Sequence, residues 1–103
     1  MIYSAKQAFR LSSDFRETTI KKFVEDTQNM IESAIKNAVI SGEYDVTVEI
    51  KYPFTRTDEM DDLIFAYFIN KGYYCSVQSR TLLWEHRWKI RWNVDTGGIS
   101  RQI

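Results

Sequence analysis

The sequence predicts a single α+β domain in which helices pack on one face of a small, mainly antiparallel three-stranded sheet. Three observations lead there. The 103 residues suffice for one hydrophobic core and are few for two. Apolar residues recur at helical spacing in the first half of the chain and around residues 57–71, but alternate over residues 44–52, 73–79 and 86–94. Gly42, Pro53 and Gly72 fall between those segments, where turns and helix ends use them.

Ser4 and Gln7 have the spacing of a capping box, so a short first helix is expected from Ala5 to about Leu11. Ser12, Ser13 and Asp14 interrupt the pattern, and Asp14 with Glu17 repeats the capping logic, which starts a second helix. Along it Ile20, Phe23, Val24, Thr27, Ile31, Ala34, Ile35 and Ala38 form one stripe, opposite Lys21, Lys22, Glu25, Glu32 and Lys36. Ser41-Gly42 ends it, because glycine tolerates the left-handed conformation of a helix terminus. Residues 44–52 follow as a half-buried strand with Tyr44, Val46, Val48, Ile50 and Tyr52 inward, and Pro53 stops it. Thr57 caps a third helix with Met60, Leu63, Ile64, Tyr67 and Phe68 as its buried stripe, ended by Gly72.

A second strand occupies residues 73–79, with Cys75 and Val77 inward. A third, residues 86–94, carries Trp88, Ile90, Trp92 and Val94 inward and Arg87, Lys89, Arg91 and Asn93 outward. Residues 80–85 make the two an antiparallel hairpin. The element order is α-α-β-α-β-β, the domain is residues 1–94, and residues 95–103, with turn chemistry and little hydrophobic pattern, read as a flexible tail.

Composition narrows the function. Fourteen basic and fourteen acidic residues cancel, which removes the whole-molecule attraction to phosphate expected of a nucleic-acid binder. No apolar run approaches the roughly 20 residues of a membrane-spanning helix. Nothing near Met1 marks the chain for export, so a cytoplasmic location is expected. The single cysteine, Cys75, fits a reducing compartment and assembles neither a disulfide nor a thiolate metal site.

No catalytic constellation, cofactor motif or metal-ligand spacing emerges. Asp58, Glu59, Asp61 and Asp62 carry the carboxylates a divalent cation would use, but they sit at a helix start, where the helix dipole favours negative charge. Cys75 and His86 are the residue types of a nucleophile and its base, yet Cys75 lies on the inward side of its strand and nothing in the spacing makes the two meet. Gly97-Gly98 precedes no helix and so is no phosphate loop.

The third strand is the stronger lead. Arg87, Lys89 and Arg91 project from one side in a row of phosphate-binding donors, with Tyr74 and Arg80 expected beside them on the second strand. The plain alternative makes them solvated charges, or cross-sheet partners of Asp45 and Glu49. Trp84, in the loop with Leu82 and Leu83, falls outside the alternation, and exposed it would mark an interface. Open sheet edges add an expectation of homo-oligomers.

Four segments together resemble a known group: Ser4-Ala5-Lys6-Gln7-Ala8, Ser41-Gly42-Glu43-Tyr44-Asp45-Val46-Thr47-Val48, Lys71-Gly72-Tyr73 and Trp88-Lys89-Ile90-Arg91-Trp92. The chain resembles small accessory proteins of tailed bacteriophages, which pair a capped N-terminal helix with a closing tryptophan-bearing strand. That resemblance implies expression in the cytoplasm of an infected host and a role in host takeover or evasion of host defence. The expectation is a non-catalytic binding protein whose target is a host protein or a small nucleotide, with a nucleic-acid-binding module or a virion component as alternatives.

Overall fold

From Met1 to Ser41 the chain contains neither glycine nor proline, so nothing in its backbone chemistry breaks a helix. The computed structural model describes residues 2–82 and 84–101, and in it this stretch is one helix, α1, Ala5–Ile40. The expected division at Ser12-Ser13-Asp14 does not occur, because serine and aspartate are only modestly poor helix formers and cap a helix only where the backbone has already left it. The capping box at its start does form: Ser4 Oγ accepts from the Gln7 amide at 3.2 Å, and the Ser4 amide donates to Gln7 Oε1 at 3.1 Å. Gly42, at φ 79°, carries the chain out of the far end.

Strand β1, Asp45–Lys51, leads to helix α2, Asp58–Ile69, whose N-cap Thr57 accepts from the Met60 amide at 3.3 Å. Strands β2, Tyr74–Leu82, β3, Glu85–Arg91, and β4, Gly98–Ser100, complete the chain. The sheet order is β1-β3-β2-β4, with β3 antiparallel to both neighbours and β4 parallel to β2. β1 and β2 therefore run the same way around an inserted β3, joined through α2 as a split βαβ unit.

Two expectations are corrected here. The sheet has four strands and is mixed, not three-stranded and antiparallel, and the element order is α-β-α-β-β-β. The segment taken for a flexible tail supplies β4: Gly98 donates to the Tyr73 carbonyl at 3.1 Å, Ile99 pairs with Cys75, and Arg101 forms ion pairs with Asp58, Asp61 and Asp62. Gly97 makes this return possible, since a Cβ there would lie 2.3 Å from the Ile69 carbonyl oxygen.

One face of the sheet buries Val48, Ile50, Cys75, Val77, Trp88 and Ile90 against Ile31 and Ile35 of α1 and Met60, Ile64, Phe65 and Phe68 of α2. Phe65 and Trp88 meet with ring centroids 4.3 Å apart at the centre. Each such side chain contributes roughly 1.5–3 kcal/mol on burial. The stripe of α2 is rotated from the expected one: Leu63 and Tyr67 are exposed, while Asp61 and Phe65 are inside. The other sheet face is left open. A 36-residue helix is about 54 Å long, and the molecule measures 59 × 24 × 21 Å, so α1 runs well past the layer it packs on.

Candidate functional site

Alternation along β3 sends His86, Trp88 and Ile90 into the core and Glu85, Arg87, Lys89 and Arg91 to the open face. Register then fixes their neighbours. Arg91 stands between Asp45 and Tyr74, Lys89 between Thr47 and Ser76, and Arg87 between Glu49 and Ser79. The Arg91 guanidinium lies over the Tyr74 ring, 5.0 Å from its centroid. Its Nε, shielded from water, finds no acceptor among the described residues. Lys89 Nζ is 3.7 Å from Asp45 Oδ2, so the basic row is in part paired across the sheet. Glu85 neighbours Glu49, and the hydrogen bond between their carboxyls, with some burial and the like charge, raises the Glu85 carboxyl above its ordinary range. Asp45, Glu49 and Glu85 thus nearly cancel Lys51, Arg87, Lys89 and Arg91 on this face.

Arg80 does not join that row. Register shifts after Val77 and again after Arg80 change the phase of β2, and Arg80 is set opposite His86, whose side chain faces the core. Trp84 is 48% exposed at the β2–β3 turn, and its carbonyl accepts from the Tyr52 amide at 2.6 Å. The expected cluster around it falls partly outside the described residues: Leu83 is not among them, nor is the Leu82 side chain.

A second assembly is buried. Asp61, 0% exposed, accepts from Tyr52 Oη and from Arg56 Nε, each at 2.7 Å, and Trp88 Nε1 donates to Tyr52 Oη at 3.0 Å. The His86 ring stands edge-on to Tyr52, with centroids 5.4 Å apart. Burial, reinforced by the Asp61 charge, pushes the Tyr52 phenol well above its usual range. Burial works against charge on Arg56, but its bond to Asp61 and the carboxylate's charge more than offset that and hold it protonated. His86 is pushed down, first by burial and then by the Arg56 charge, and stays neutral near pH 7. Tyr52, Asp61, Arg56 and Trp88 satisfy one another, whereas His86 Nδ1 is buried without a hydrogen-bond partner among the described residues; none of these groups lines the hollow described next, and their chemistry is that of a polar core.

Cys75 and His86 do not come together, since Cys75 pairs with Ile90, four residues along β3 from His86. Burial pushes the Cys75 thiol up to about 12, which makes it a poor nucleophile. Among the described residues no group of three or more His, Cys, Asp or Glu side chains is placed to hold a metal ion, and no helix is long and apolar enough to cross a membrane.

A hollow of about 700 Å³ forms an open notch where α1 leaves the domain. It is lined by Arg16, Glu17, Ile20, Val24 and, from α2, Leu63. Beyond it, from Ile2 to Thr18, every side chain except Ala8 is exposed, among them Phe9 at 76%, Phe15 at 68% and Leu11. Arg16 reaches back to the domain, with its guanidinium 4.1 Å above the Phe54 ring.

No protein-family model, no curated protein and no solved structure matches the chain. Two features escaped sequence reasoning. The buried network had a visible signal, since Asp61 precedes Ile64 and Phe65 by three and four residues and so shares their face. The bare aromatic helix had a weaker one, because Phe15 lies off the stripe that begins at Ile20.

Proposed function

We propose that the chain is a non-catalytic binding protein that recognises another protein through the open face of its sheet. The setting is the one its resemblance implies, a phage accessory protein acting on a host protein in the host cytoplasm. The observation that carries this reading is the composition of that face. Acidic and basic side chains of β1 and β3 stand side by side and nearly cancel, with Tyr74 of β2 under Arg91 at one end. Such a surface matches the mixed charges of a protein better than the uniform charge of a nucleic acid, which rewards an unbroken basic row. The Lys89–Asp45 pair is exposed and worth at most about 1 kcal/mol, so a partner's charges readily exchange with it.

A small nucleotide is the second reading, favoured by the Tyr74 ring with the Arg91 guanidinium over it, which together offer an aromatic surface and a cation for a phosphate. The test is capture from bacterial lysate on immobilised wild-type protein and on Arg87→Ala/Arg91→Ala. The expected result is a protein retained by the wild type and lost from the variant. The variant should melt within about 1 kcal/mol of the wild type, because both side chains lie outside the core. An ultraviolet-absorbing small molecule retained in the same pattern would replace the protein partner with the nucleotide. Retained nucleic acid released steeply by salt would overturn both.

A further inference from the structure

The first third of α1 is exposed along almost its whole length, with Arg16 reaching back to Phe54. Isolated helices of this length are marginal in water, and this one also exposes Phe9, Leu11 and Phe15. Its residues are nonetheless segregated. At 3.6 residues per turn, Ala5, Ala8, Ser12, Phe15 and Thr19 fall on one face at alternating three- and four-residue steps, flanked by Phe9 and Leu11. Lys6, Arg10, Asp14, Glu17 and Lys21 occupy the opposite side. The one charged residue bordering the apolar face, Arg16, is held over Phe54.

The order of residues on that face reads nearly alike in both directions from Ser12. Three residues away on either side stand Phe9 and Phe15, and seven away the small residues Ala5 and Thr19, while four away Ala8 is matched by Arg16, whose guanidinium is drawn off over Phe54. A helix whose contact face is a near-palindrome is complementary to itself run in reverse, which is the condition for an isologous two-fold interface. We infer that α1 docks, through residues 5–19, against the same segment of a second copy of this chain, antiparallel about a two-fold axis at Ser12.

In this arrangement Phe9 of one copy is level with Phe15 of the other, Ala5 with Thr19, and each Phe15 lies over the low surface of the partner's Ala8. Ser12, which meets itself on the axis, is small and uncharged, so neither bulk nor like charge opposes the approach. Four phenylalanines at about 150–250 Å² each supply roughly half or more of the 1,200 Å² that a stable interface needs, and Leu11 and Ile2 add to it. The partner's N-terminal end reaches the shallow hollow formed by Thr19, Lys22, Phe23 and Asp26 on the same side of α1. The pair carries a domain at each end, so two open sheet faces are displayed at once; this bivalence rests on the binding role proposed above, whereas the pairing itself does not.

Sedimentation at micromolar concentration tests the pairing without reference to any ligand. A species of twice the 12.2 kDa chain mass is expected. Phe15→Glu should return a monomer, with association weakened roughly 100-fold or more and the near-ultraviolet signal of the Trp88 core intact, because Phe15 touches no core residue. Ser12→Cys should oxidise to a covalent dimer, whereas Ala5→Cys should not, since the two Ala5 positions lie far apart in an antiparallel pair. Cys75 is buried and stays out of the reaction. A wild-type monomer, a dimer unaffected by Phe15→Glu, or cross-linking at position 5 instead of 12 would each overturn the inference.

Discussion

At the centre of the molecule Tyr52 and Trp88, which alternation turns inward, meet Asp61 and Arg56, which it does not place. Tyr52, Asp61, Arg56 and Trp88 form a hydrogen-bonded network inside an otherwise apolar core, each depending on another for satisfaction, and the His86 ring packs edge-on to Tyr52. Tyr52→Phe removes the group that accepts from Trp88 and donates to Asp61. A loss of about 2–3 kcal/mol in denaturant unfolding is expected; a change below 1 kcal/mol would mean that the network relaxes around the gap. His86 adds a pH dependence. Its folded-state pKa lies below the ordinary value of 6.5, so the unfolded chain binds the extra proton as pH falls through that value. Stability should therefore be full above about pH 6.5 and decline below it. Unfolding curves at pH 8 and pH 5.5 should diverge for the wild type and coincide much more closely for His86→Gln. Sequence reading saw each of these residues but not their meeting, because residues 52, 61 and 88 are joined only by the fold.

At the level of elements, periodicity was a sound guide to the strands that pack, though not to α2, whose buried stripe is rotated from the expected one. The alternation of β1 and β3, the antiparallel β2–β3 pairing and the Thr57 cap all lie where the pattern put them. It failed at the two ends of the chain for opposite reasons. Residues 5–19 have a helical pattern with no local core to face, so the polar triplet at 12–14 looked like a boundary. Gly98–Ser100 is too short to show alternation, and its place is set by the space beside β2 and the end of α2. Gly97→Ala tests that placement. The added methyl would collide with the Ile69 carbonyl, so a loss of about 1–3 kcal/mol and faster amide exchange over residues 98–100 are expected. Unchanged exchange there would show that the backbone shifts without cost.

The whole molecule is a sheet with one face sealed and one face open, carried beside a rod that outreaches it. The alternation of β3 announced the open face, and register supplied what alternation lacks, the acidic residues of β1 that break up the basic row. Charge reversal is the sharpest probe at this scale. Asp45→Lys with Glu49→Lys would leave Arg87, Lys89 and Arg91 unopposed, and such a variant should gain salt-sensitive affinity for mixed DNA and RNA that the wild type lacks. Equal binding by both proteins would mean that the acidic residues of β1 do not govern what the face accepts.

Strand order also has a consequence in time. β3 is the inner strand that both β1 and β2 require as a partner, yet at residues 85–91 it follows both of them in the chain and leaves the ribosome after them. Until then β1 and β2 are made but have nothing to pair with, whereas α1, whose hydrogen bonds are local, is free to form much earlier. The nascent chain is thus expected to display a finished helix ahead of an unfinished domain, and any contact made through α1 can begin before the sheet exists. Ribosome-held chains ending at Leu82 should be cleaved throughout residues 44–82 by a brief protease pulse, while chains extended past Ser100 resist it. Equal resistance in the shorter chains would show that the sheet does not wait for its central strand.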